Sequence, residues 1–211
     1  MDFEEEYWSK NYSEPKEMDG IGNAKEHGSY LKAVFNLEGV EINSMIDFGF
    51  GLGHLFKQFI KDFGPYRVQG IEPSVYAFSR FKYKKNESTK VTLKNIDLKS
   101  WCCMQKENSR YFDLGICTSV FQYLKDEEIQ KIVPIIAQKV KYLYFTVPTD
   151  VELDRQISEM EFHDTKALRR SQDFYYKILS KDFSFVTSRL LESKYFFDDK
   201  TTVFTDLLFR F

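Results

Sequence analysis

The sequence predicts an α/β protein built on a doubly wound, mostly parallel sheet of seven strands, with helices on both faces and an antiparallel last strand. Three observations carry this. Apolar strand-like segments alternate with helical patterns from residue 44 to residue 147. The first of those strands runs through three alternating glycines directly into an amphipathic helix. Beyond Pro148 the alternation stops, and two late strand-like segments follow a helix as an antiparallel pair at one edge. At 211 residues and 25.1 kDa the chain suits one such domain and is short for two. The expectation is therefore a single domain over 1–211, with residues 1–42 forming an N-terminal helical cap.

The elements follow in order. Tyr30, Leu31, Val34, Phe35 and Leu37 give the segment 23–37 an apolar face, ahead of which Tyr7, Trp8 and Tyr12 are read as an aromatic lid or as ordinary packing. Strands are expected at 44–48, 67–71, 91–96, 112–117 and 141–147, separated by helices at 52–63, 74–84 and 126–139. Gly64-Pro65 marks a turn, and 84–90 is a polar connection. After Pro148 come a helix at 171–179, a strand at 183–191, a turn at 198–200 and a final strand at 202–211. No internal repeat or low-complexity tract interrupts this plan.

Composition narrows the function classes. A formal net charge of −2 offers no overall basic footprint for phosphates, which disfavours a nucleic-acid partner. The basic run Arg80, Lys82, Lys84 and Lys85 reads as a phosphate patch or as a solvated helix face. Cys102, Cys103 and Cys117 are odd in number and lack ligand spacing with a histidine, so neither a disulfide framework nor a metal site is expected. The acidic start Met1-Asp2-Phe3-Glu4-Glu5-Glu6 lacks the basic and then apolar pattern of a secretory signal, and no apolar run reaches membrane-spanning length. A soluble cytoplasmic protein is expected, without a membrane partner.

The chemistry begins at Met45-Ile46-Asp47-Phe48-Gly49-Phe50-Gly51-Leu52-Gly53-His54. A strand ending in glycines lets the backbone turn sharply and approach a ligand, while the next helix presents unpaired N–H groups. A dinucleotide fingerprint G-x-G-x-x-G would need its third glycine at position 54, which is His54. The order Asp47-x-Gly49-x-Gly51-x-Gly53 instead resembles the first motif of the class I S-adenosylmethionine-dependent methyltransferases. A carboxylate beside a pyrophosphate is repulsive, whereas beside an ammonium or a sulfonium it is attractive.

Three later segments extend the resemblance over about residues 44–150. Glu72 closes the second strand, where one carboxylate accepts both hydroxyls of a ribose, with Pro73 beside it; capping of the following helix is the competing role. In Asn95-Ile96-Asp97-Leu98, the resemblance implies that Asp97 accepts the adenine amine while Ile96 and Leu98 pack on the ring; Asp97 also reads as a simple turn former. Phe112-Asp113-Leu114 resembles the family's fourth strand, with Asp113 structural and the strand running past Cys117 and Thr118 into the segment bordering the transferable methyl. The resemblance thus implies a Rossmann-like sheet holding S-adenosyl-L-methionine through Asp47, Phe48, Gly49, Gly51, Gly53, Glu72, Pro73, Asp97, Leu98, Cys117 and Thr118.

The methyl acceptor is read as a small molecule, because no added domain is available to grip a polymer. Methyl transfer needs alignment and water exclusion more than an obligatory acid–base pair. The catalytic residues stay unknown, with Tyr123 and His163 as candidates. Many small-molecule methyltransferases of the family that the chain resembles carry a histidine near the position of Gln122 or Tyr123, and this chain does not. Two rival readings stand: an NAD-dependent oxidoreductase on the same sheet, and a non-catalytic cofactor-binding partner.

Overall fold

The computed structural model describes residues 20–83 and 88–204. In chain order the elements are α1 (Ala24–Leu37), β1 (Ser44–Phe48), α2 (His54–Phe63), β2 (Arg67–Ile71), α3 (Val75–Arg80), β3 (Lys90–Lys94) and α4 (Leu98–Cys103). Then follow β4 (Phe112–Thr118), a single 3-10 turn at Phe121–Tyr123, α5 (Asp126–Lys139), β5 (Val140–Thr146), α6 (Asp150–Met160), α7 (Gln172–Leu179), β6 (Phe183–Phe185) and β7 (Leu190–Ser193). The seven strands lie in the order β3-β2-β1-β4-β5-β7-β6. β1 pairs in parallel with β2 and β4, β2 in parallel with β3, and β7 antiparallel with both β5 and β6. This is the doubly wound, mostly parallel sheet with an antiparallel last strand that the sequence predicts. From β1 the chain steps outward to β2 and β3 and then returns to the other side of β1. The carboxyl end of β1 is therefore where the winding reverses, the place at which open α/β sheets bind ligands.

Contacts divide the chain into two units, Met1–Trp101 with Phe112–Ile116, and Cys102–Tyr111 with Cys117–Phe211. In the first, all five residues of β1 are buried, as a strand covered on both faces must be. β3 alternates exposed and half-buried residues and carries lysines at both ends, the pattern of a protected edge. α1 buries Leu31 and Phe35, and a Cβ on Gly28 would fall 1.9 Å from Asp62 Oδ2, so Gly28 leaves room for the Asp62 side chain of α2. Asp113 Oδ2 accepts from Ser44 N at 3.0 Å and Ser44 Oγ at 2.9 Å, tying the start of β4 to the start of β1.

In the second unit, Lys139 is buried and its ammonium donates to the Lys106 and Glu107 carbonyls at 2.7 and 3.0 Å, holding the loop that precedes β4. Ser193 Oγ donates to the Ala137 carbonyl at 2.5 Å and joins β7 to α5.

Several boundaries differ from expectation. The strand expected at 183–191 is two short strands, because Thr187 Oγ1 accepts from Arg189 N and Leu190 N, at 3.2 and 3.0 Å, and closes a turn between β6 and β7. Within the strand expected at 202–211, residues 202–204 belong to no strand: the Thr202 hydroxyl donates to buried Glu192 at 2.8 Å, and residues 205–211 lie outside the described residues. α3 is shorter than expected because Phe81, at its end, turns into the core. α4 and α6 were not expected, although each announces itself: Asp97 accepts from Ser100 N at 2.6 Å, and Thr149 Oγ1 accepts from Glu152 N at 3.4 Å, both side-chain caps three residues ahead of the bonded N–H. Of the expected cap at 1–42, residues 1–19 with Tyr7, Trp8 and Tyr12 lie outside the described residues, as do Lys84 and Lys85. No helix among the described residues is long and apolar enough to cross a membrane.

Candidate functional site

β1 delivers Asp47 and Phe48 at its carboxyl end, and the chain then passes through Gly49, Gly51 and Gly53 at φ of 97°, 54° and 78°. All three lie in the left-handed region, which a side chain resists by about 1–2 kcal/mol per residue. At Gly53 sterics add to this, since a Cβ would sit 2.2 Å from the Phe81 ring. The loop is pinned from both sides. Gly49 N and Phe50 N donate to the Ile71 carbonyl at 2.8 and 3.2 Å, and the Phe50 ring packs 4.8 Å from Phe81 and 5.7 Å from Phe56. α2 then starts at His54 with Gly53 as a cap that lacks a side-chain bond. Burial and the neighbouring Lys57 push the His54 imidazole below its ordinary value.

Glu72, just past β2, is buried. Its Oε2 accepts the Gly51 N–H at 2.8 Å and its Oε1 accepts the Ser74 N–H at 2.9 Å. Ser74 in turn caps α3, its Oγ accepting from Ala77 N at 3.2 Å. The helix-capping role weighed for Glu72 thus falls to Ser74, while Glu72 braces the glycine loop. Each oxygen keeps a lone pair beyond its backbone bond. Burial raises the Glu72 carboxyl above the ordinary glutamate range, and the two backbone bonds oppose that rise.

Asp47 is also buried, and burial first, then the charge of Glu72, drive its carboxyl well above the ordinary aspartate value of 3.8. Two buried acids, one at the end of β1 and one just past β2, favour a positively charged ligand between them and solvent.

The other expected residues have these positions. The Phe48 ring turns into the core, edge-on to Trp101 at 4.9 Å. Pro73 is exposed. Asp97 is exposed and caps α4 through Oδ1, Leu98 is buried as the first residue of α4, and Ile96 is half-buried. Cys117 is buried and Thr118 half-buried at the end of β4. In the second unit the Tyr123 hydroxyl donates to Asp164 Oδ2 at 2.5 Å, whereas His163 beside it is exposed. Among the described residues no group of three His, Cys, Asp or Glu side chains could hold a metal ion.

Sequence reasoning passed over Asn95, whose amide donates to the Glu72 and Pro73 carbonyls at 2.7 and 3.1 Å and so fixes the turn that carries Glu72. Its signal was an amide directly after β3, read only as a companion of Asp97. The phenylalanines that hold the glycine loop, Phe50 and Phe81, were likewise invisible as a pair, because their contact depends on how α3 ends.

No family model matches the chain, and no curated protein matches it. Solved structures do. An S-adenosylmethionine-dependent methyltransferase from Clostridium acetobutylicum ATCC 824 superposes with a TM-score of 0.64 at 11% identity, covering 88% of this chain and 96% of that one. Magnesium protoporphyrin IX methyltransferase from Synechocystis PCC 6803, with bound SAH, gives 0.53 at 18% identity over 80% and 82% of the two chains. A SAM-dependent methyltransferase from Archaeoglobus fulgidus gives 0.54 at 16% identity over 74% and 69%. The chain has the fold of the class I S-adenosylmethionine-dependent methyltransferases.

Proposed function

We propose that the chain is an S-adenosylmethionine-dependent methyltransferase acting on a small-molecule acceptor. The observation that carries this is the pairing of two buried acids, Asp47 and Glu72, with the glycine loop at the carboxyl end of β1. That donor set fits the cofactor: Glu72 has acceptor capacity left for the ribose hydroxyls, and Asp47 supplies the negative charge that an ammonium or sulfonium needs. It suits a pyrophosphate less well, because only a positive ligand beside the glycine loop lets Asp47 ionise next to Glu72; this weighs against the NAD-dependent oxidoreductase.

When bound, the cofactor supplies an electrophilic methyl on a cationic sulfur. Glu72 would hold the ribose and keep the glycine loop in register. Asp97 has its second carboxylate oxygen available for the adenine amine, with Ile96 and Leu98 beside the ring. The glycines at 49, 51 and 53, with Pro73, would complete the binding surface. Of the two acceptor-side candidates, Tyr123 is the better supported, since its bond to Asp164 orients the phenol, whereas His163 is exposed.

Calorimetric titration with S-adenosylmethionine, its demethylated product and NAD tests the reading. Saturable binding of the first two and none of NAD is expected. Failure of the first two to bind at millimolar concentration would overturn it. Transfer of labelled methyl to a low-molecular-weight fraction of an extract separates an enzyme from a non-catalytic binding partner.

A further inference from the structure

We propose that Asp47 carries a proton in the cofactor-free protein and releases it when a cationic ligand binds, so that cofactor binding is coupled to proton release. This deepens the methyltransferase reading and rests on it.

The geometry begins with register. Asp47 on β1 lies opposite Gly70 on β2, and Glu72 is two residues beyond Gly70. Because side chains alternate along a strand, Glu72 returns to the face that Gly70 and Asp47 share. The Glu72 amide donates to the Lys94 carbonyl at 3.2 Å, which carries the ladder one residue past β2 and keeps that alternation. Both acids are almost wholly buried, at 3% and 4% exposed.

Their hydrogen bonding is unequal. Glu72 accepts two backbone N–H groups, which favour its charged form. Among the described residues no donor bonds the Asp47 carboxylate. Two adjacent buried carboxylates without a cation do not both stay ionised, and the proton settles on the one with fewer donors.

The surrounding titratable groups leave this intact. On α2, Lys57 acts on His54. On β4, Asp113 is bound to Ser44 at the opposite end of β1, and after β3 Asp97 caps α4. Of the charges on these elements, Glu72 is the one that acts on Asp47. A cation entering the site reverses the balance: the Asp47 O–H bond breaks, its electron pair stays on the carboxylate facing the cation, and the proton passes to buffer.

The test is calorimetry of S-adenosylmethionine binding to the full chain at a series of pH values from acid to neutral, each in two buffers whose ionisation enthalpies differ. Wherever Asp47 is protonated in the free protein, the observed enthalpy should shift between buffers by the equivalent of up to about one proton released per cofactor bound. With Asp47→Asn the shift should vanish. A measurement on wild type alone guards against a variant that fails to fold: affinity should rise with pH, by up to about tenfold per unit, until Asp47 is ionised in the free protein. Binding with buffer-independent enthalpy and pH-independent affinity overturns the coupling and leaves the methyltransferase reading standing. Absence of binding at every pH overturns both.

Discussion

Glu72 reaches back across 21 residues of sequence to accept the Gly51 N–H at 2.8 Å, so the acid proposed for the ribose also holds the loop proposed to cradle the cofactor. One side chain therefore has two measurable roles. Glu72→Ala strips an acceptor from two backbone donors, at Gly51 and Ser74, and urea denaturation should show a loss of about 1–3 kcal/mol. Affinity for S-adenosylmethionine should fall by a further 1–3 kcal/mol, about 5- to 150-fold. Lost stability with unchanged affinity would confine Glu72 to bracing.

The glycine loop allows a controlled comparison. Gly53 and Gly39 both have positive φ, 78° and 65°, but a Cβ at Gly53 meets the Phe81 ring at 2.2 Å whereas at Gly39 it meets nothing within 4 Å. Gly39→Ala should cost only backbone strain, about 1 kcal/mol, and Gly53→Ala roughly 3 kcal/mol or more, because strain and overpacking add. Adding Phe81→Leu should recover part of the second loss. Equal shifts in Tm for the two alanine variants would contradict the packing described here.

Stability should fall as pH rises through the acidic range. Asp47 and Glu72 are both raised in the folded state, so the native protein binds more protons than the unfolded chain between their unfolded and folded values. The slope of stability against pH is then negative. Their contribution is complete below the unfolded values, 3.8 for aspartate and 4.5 for glutamate, and is lost as pH climbs through the folded ones. Asp47→Asn should flatten the decline, as read from urea midpoints taken between acid and neutral pH. A decline of unchanged steepness in that variant would remove Asp47 as its source.

Arg170 organises the turn after β4. Buried itself, it donates to Asp126 Oδ1 at 2.8 Å, to the Phe121 carbonyl at 3.1 Å and to the Leu124 carbonyl at 2.5 Å. Arg170→Met leaves both carbonyls without that donor and should cost about 3 kcal/mol in urea denaturation. Arg170→Lys should rescue little, because a single ammonium cannot span three acceptors held by a planar fork. Full rescue by lysine would show that only the charge matters.

Local chemistry determined a large part of this protein. The limits of β1, β2 and α5 coincide with those read from the sequence, because buried apolar runs, a Gly-Pro turn and acids opening a helix act over a few residues. The glycine loop was legible for the same reason, since three alternating glycines after a strand have few other uses. What tertiary structure decided depends on residues far apart in the chain. Thr187 turned one expected strand into two, and the Thr202 hydroxyl met buried Glu192 instead of extending a final strand. Asn95 fixed the turn bearing Glu72 from 23 residues away, and Phe81 closed over Gly53. Backbone preference is written in neighbouring residues; which donor meets which buried acceptor is settled only when strands pair and water leaves, and that step made Asp47 and Glu72 a coupled pair of buried acids.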